Sequence, residues 1–297
     1  MPVEIDPLTA LAEGDPPVPE GGQRHNILFR PSFHHEHLLT IDLAARAKIR
    51  LRWFATSLWE AVTLHQLALQ NISAPAEEGA VPPLVLPEIR EAHAVLAPAR
   101  AEQLRHDLAR TFPGISAPDH RRGLDGITLH VEVRTSDAPP QRYRVWSPSP
   151  DLPQHAYFVT LHALASELLL DEQAQRRLEQ VHCYLDLGLP ARDRGGHPRR
   201  LQIFGRLSSS QETALAAFFA AADADEPVVV DMRNFDGMGT LLYPLFRRFS
   251  RRPGATGWAV SKAARRQLCE AQVPDDRLRD DLAEAVLLVS EREPRRP

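Results

Sequence analysis

Cysteine is nearly absent. Cys183 and Cys269 are the only two, and neither belongs to a Cys-x-x-Cys pair, so a disulfide framework and a thiolate zinc site both lack support. Lysine is equally scarce, with Lys48 and Lys262 alone among 35 basic residues. Long apolar runs are missing too: the longest run of small apolar residues, Ala214 to Ala222, covers nine positions between Thr213 and Asp223, too few to cross a bilayer. No charge of one sign dominates. The 35 basic and 39 acidic residues leave a formal net charge of −4, which gives no broad attraction for nucleic acid. Met1 to Pro19 lacks the basic start and apolar stretch of an export signal. These absences lead us to expect a cytoplasmic protein with no membrane span, no cofactor and no nucleic-acid partner.

What is present is ordinary globular material. Apolar residues make up 43% and charged residues 25% of 297 positions, enough for two hydrophobic cores. Residues 1–24 carry five prolines and three glycines and are expected to form a flexible arm. A first domain is expected over 25–189. Ile27, Phe29, Leu39, Ile41 and Leu43 fall at alternate positions, and in Lys48 to Trp53 charged and apolar residues alternate strictly, which predicts two paired strands. The stretch 73–87, with four prolines, reads as an exposed connection, and Glu88 to Arg110 as a helix that Pro98 kinks or divides. Asp125-Gly126 introduces a hairpin, Ile127 to Val133 returning as Tyr143 to Trp146, before one long helix from Tyr157 to Leu187. This order predicts an α+β domain, an antiparallel sheet with covering helices.

Pro190 to Pro198 reads as a polar linker, followed by a second domain over 199–297. Strands are expected at Leu201 to Leu207, Val228 to Val230, Gly257 to Val260 and Val286 to Val289. Helices are expected at Glu212 to Ala222, Gly239 to Arg252 and Lys262 to Ala271. Strands alternating with helices imply a mixed, mostly parallel sheet, and the chain as a whole is predicted to be α/β.

Short motifs in this second half carry a resemblance. Phe204-Gly205-Arg206-Leu207 fits a strand ending in a Gly-x-Leu turn. Val228-Val229-Val230-Asp231 fits an apolar strand ending in Asp, and Asp236-Gly237-Met238-Gly239 with Leu241-Leu242 fits a helix start. In these features residues 199 to 290 resemble the STAS domain of anti-sigma-factor antagonists and sulfate-transporter tails. The resemblance implies regulation through a protein partner, docked on Asp236, Gly237, Met238, Gly239 and Thr240, with Met238 exposed between two glycines. It also marks a departure: Gly237 stands where the family has its phosphorylated serine, with Thr240 as a substitute hydroxyl or a local helix cap.

Four clusters invite chemistry. His34-His35-Glu36-His37 holds metal-ligand side chains, but on a strand only His34 with Glu36, or His35 with His37, would share a face, and no His-Glu-x-x-His spacing is present, so no metal site is expected. His155 and His162, seven residues apart, with His182 and Cys183 beyond, read as core and edge residues of a helix. Asp231 at a strand end, with Asp236, is the strongest case for catalysis, yet Arg233 occupies the position where a second carboxylate would follow. Arg247, Arg248, Arg251 and Arg252 read as cations favoured at a helix C-terminus. The expectation is therefore a non-enzymatic regulatory or interaction protein; the alternatives are a toxin-neutralising immunity-type protein, or a hydrolase of phosphorylated substrates working through Asp231 and Asp236.

Overall fold

The computed structural model describes residues 6–32, 34–70, 84–116, 119, 121, 123 and 126–292. Its contacts divide the chain into two units, Met1–Asp186 and Leu187–Pro297, each described here by itself.

In the first unit the alternating segments become strands of one antiparallel sheet: β1 (Gln23–Pro31), β2 (His37–Leu43), β3 (Lys48–Phe54), β4 (Ile89–Val95), β5 (Ile127–Thr135) and β6 (Gln141–Trp146). Their order is β4-β3-β2-β1-β5-β6. Register fixes what each face carries, because residues paired across neighbouring strands point the same way. Ile27, Leu39, Leu51 and Val131 pair along one row and are buried. The helices α3 (Pro98–Ile115) and α4 (His155–Leu168) set Phe112 and Tyr157 against His25 of β1. The opposite face is polar and carries α1 (Pro7–Ala12) and α2 (Leu58–Gln70), whose Leu11, Leu58 and Val62 cluster with Leu28, Leu38 and Phe54.

Several expectations for this unit are corrected. Two paired strands become three, because residues 23–31 and 37–43 are separate, mutually paired strands. Part of the supposed arm is the helix α1, begun by the Asp6 side chain accepting from the Leu8 amide and anchored by Leu11, which is fully buried. Residues 89–95, expected in a helix, form β4, since the edge of β3 offers them a full row of partners from Phe54 to Lys48. Pro98 opens α3 at its first turn instead of kinking a longer helix, a position where its missing N–H costs nothing. The long helix after Tyr157 is two helices, α4 and α5 (Glu172–Val181), because Asp171 caps the second by accepting from the Ala174 amide at 2.9 Å. Most of the connection at 73–87, and Asp125 of the second hairpin, lie outside the described residues.

The second unit contains β7 (Ala191–Gly195), β8 (Arg199–Ile203), β10 (Val228–Met232), β12 (Thr256–Val260) and β13 (Leu278–Arg279), ordered β13-β12-β10-β8-β7. All but β7 run parallel. A two-stranded parallel ribbon of β9 (Gly205–Leu207) and β11 (Phe235–Met238) stands beside it. The stretch expected as a linker is thus largely the edge strand β7. One face of the five-stranded sheet, with Val228, Val230, Trp258 and Val260, packs on α6 (Glu212–Ala220), α7 (Tyr243–Ser250) and α8 (Lys262–Glu270) through Leu215, Phe246 and Leu268. Residues 286–289, expected as a strand, belong to α9 (Leu282–Arg292) on the other face, where Ala285 and Val289 meet Val229 and Ala259. A β-carbon at Gly257 would sit 2.8 Å from Val289 Cγ2, so the absence of a side chain sets how closely α9 approaches. Both units together make the mixed α/β architecture expected from the sequence.

Candidate functional site

The parallel β10 ends in the residue with the strongest claim to chemistry. Asp231 is buried, and its two carboxylate oxygens accept from Arg233 Nε and Nη2 at 3.0 Å each, while the Arg233 amide also donates to Oδ1 at 3.3 Å. A fork-on-carboxylate pair of this kind engages both carboxylate oxygens. Asp231 is therefore built into the turn after β10, with Arg233 in the place where a second acid would be needed. Asp236 is exposed on β11, so the structure gives the two aspartates different surroundings.

The chain then pairs β11 with β9, and the register slips between Phe235 and Gly237. Gly237 absorbs the slip at φ +154°, a conformation that side chains rarely adopt. This places Phe235 and Met238 inward. Met238, expected as an exposed residue at a helix start, is only 8% exposed in the main core of the second unit, and its amide donates to Gln267 Oε1 at 3.1 Å. The helix begins later, as a single 3₁₀ turn over Thr240–Leu242 leading into α7. Of the five residues expected at a docking face, Asp236, Gly239 and Thr240 are exposed while Gly237 and Met238 are buried. Thr240 supplies no side-chain cap. The neighbouring Leu241, named in the sequence reading only as part of the helix start, is 68% exposed.

The histidines do other work. His37 is the first residue of β2, stacked 4.8 Å from the Phe29 ring, and burial lowers its pKa to about 3. His34 lies in the preceding bend with Nδ1 3.2 Å from the Tyr184 hydroxyl. His155 and His162 face backbone carbonyls, Nε2 lying 2.7 Å from Leu185 O and 2.9 Å from Leu178 O. Among the described residues, no group of three or more His, Cys, Asp or Glu side chains converges as a metal site. Both cysteines are exposed thiols. In the arginine run, Arg252 lies over the Phe249 ring at 5.0 Å and Arg247 Nε reaches Ala271 O at 3.5 Å, so part of its charge is seated locally.

No protein-family model, curated protein or solved structure matches this chain.

On the polar face of the first unit, a cleft of about 750 Å³ is lined by Arg30, His34, His35, Glu36, Thr128, His130, Arg144 and Trp146, among others. Alternation alone puts Thr128 and His130 on one face of β5 and Arg144 and Trp146 on one face of β6, but only the register brings these pairs together. Among the described residues, no helix is long and apolar enough to cross a membrane.

Proposed function

We propose that the chain acts by binding a protein partner, through a STAS-like second unit that presents Asp236, Gly239, Thr240 and Leu241. The observation that carries this reading is the exit from β11. There Leu241 stands largely exposed beside Gly239, which has no atom within 4 Å of where a β-carbon would lie, so a partner's backbone has room to approach an apolar anchor. The commitment of Asp231 to Arg233 supports the same conclusion, because a carboxylate with both oxygens held is a poor nucleophile or base. Support for the family likeness comes from the parallel β8, β10 and β12, Gly205 at φ +57° where β8 hands over to β9, and the acid near the end of β10. Gly237 replaces the family's phosphorylated serine at a bulge suited to glycine, so regulation by a kinase does not operate at that residue.

The test is a pair of affinity captures from the native host, with the wild-type chain and with Leu241→Asp as bait. A stoichiometric partner kept by the first and lost by the second, with both baits folded by circular dichroism, is the expected result. Equal recovery by both baits removes this surface from consideration. Turnover of p-nitrophenyl phosphate that disappears in Asp231→Asn would restore the hydrolase.

A further inference from the structure

The polar face of the six-stranded sheet is rich in arginine, and most of that charge is matched. Arg24 pairs with Asp42, directly opposite on β2. Arg50 and Arg52 both reach Asp15, at 2.6 and 2.7 Å. Arg134 and Arg142 share the buried Glu132, at 2.5 and 2.8 Å. Beyond Glu132 this pattern stops at Arg144. His130 and Arg144 are directly opposite on β5 and β6, with Arg30 opposite Thr128 one row on. Arg144 makes no hydrogen bond or ion pair with another described residue, and His130 Nε2 is buried without a partner. A buried polar atom without a partner costs stability.

The same side chains line the cleft of about 750 Å³, a size suited to a small molecule. The described lining residues include one carboxylate, Glu36, and two guanidiniums, Arg30 and Arg144, so with the histidines neutral they sum to a net positive charge. Burial lowers the pKa of His130, and Arg30 and Arg144 lower it further against the opposing pull of Asp6. An anion would relieve each of these tensions at once: it neutralises the excess charge and completes the hydrogen bonding of His130. We propose that this cleft binds a small phosphate- or carboxylate-bearing ligand, its oxyanion held by Arg30, His130 and Arg144. The site lies wholly in the first unit and goes beyond the partner-binding role of the second.

The experiment is isothermal titration calorimetry on the full chain with inorganic phosphate and, separately, citrate, at ionic strength fixed with sodium chloride. Saturable binding of one or both is expected, phosphate alone marking a phosphorylated ligand and citrate alone a carboxylate. Arg144→Gln, at an exposed strand position, and Arg30→Gln should each weaken that binding by about tenfold or more. Arg110→Gln, at an exposed helix position, should leave it unchanged. No saturable heat with either anion overturns the proposal, as does wild-type affinity in both cleft variants.

Discussion

His25 and His37 show how single residues tie this fold to pH. Burial lowers the pKa of His25 to about 4 and of His37 to about 3, from an ordinary 6.5. In the unfolded chain both take up a proton near pH 6.5, so the unfolded state binds more protons below that pH. Their stabilising contribution is complete above pH 6.5 and is lost as pH falls towards the folded values. Each histidine should cost up to about 1.4 kcal/mol per pH unit across that window. Urea midpoints measured at pH 7 and pH 5 should fall with acidification, and His37→Leu should flatten the fall. A midpoint that does not move between these two values would contradict the buried, neutral histidines. Met238 makes a sharper test. With only 8% of its surface exposed, Met238→Asp buries a carboxylate in the main core and should cost about 3 kcal/mol or more, whereas Met238→Leu should cost less than about 1.5 kcal/mol. If Met238→Asp melts with the wild type, the residue is on the surface after all.

At the scale of elements, α1 does more for the first unit than its six residues suggest. It covers apolar Leu28, Leu38 and Phe54 on a face that is otherwise mostly polar, and the chain beyond it delivers Asp15 to Arg50 and Arg52. Leu11→Ala should cost about 3 kcal/mol through the cavity it leaves. Asp15→Asn should cost about 1–3 kcal/mol, because it strips a buried counter-charge from the half-buried guanidiniums of Arg50 and Arg52. Chemical denaturation of both variants checks this, and a loss below about 0.5 kcal/mol in each would mean α1 is merely draped on the sheet. The sequence hid α1 because the stretch 1–24 around it, rich in proline and glycine, resembles disordered segments in composition, while what orders α1 is a distant sheet face. The same blindness explains β4 and α9. Ile89 to Val95 mixes apolar with charged residues and Val286 to Val289 is a short apolar run; the periodicity of each fits helix and strand alike, and the tertiary partner decides between them. Elements with strong internal signals were legible: the β5–β6 hairpin, the Val-Val-Val strand β10, and α8 begun by Ser261, whose hydroxyl accepts from the Ala264 amide. At the candidate site, Asp231 was legible as a strand-end acid. The inward turn of Met238 was not, since it depends on a one-residue slip at Gly237.

For the molecule as a whole, the boundary between units decides what can fold alone. The clusters that build the second unit draw only on residues after Asp186: Leu201, Val230, Phe246, Trp258 and Leu268 on one face of its sheet, Val229, Ala259 and Val289 on the other. A cut at the polar stretch 190–198, as the sequence invites, would remove β7, which pairs with β8 from Ala191 to Gly195. It would also remove Leu189 and Ala191, which pack against the main core, and Asp193, whose carboxylate receives Arg199 at 2.6 Å. The parallel sheet would then end in an uncovered β8, an edge open to wrong pairing. Two fragments separate these cases. Residues 187–297 should unfold in a single cooperative thermal transition, whereas residues 199–297 should be less stable by about 2 kcal/mol, the order expected for losing one partly buried leucine and its neighbours. Circular dichroism melts of the two fragments supply the measurement. If 187–297 shows no cooperative transition, the second unit depends on the first for its fold. If 199–297 melts at the same temperature, β7 is the linker that its composition suggests.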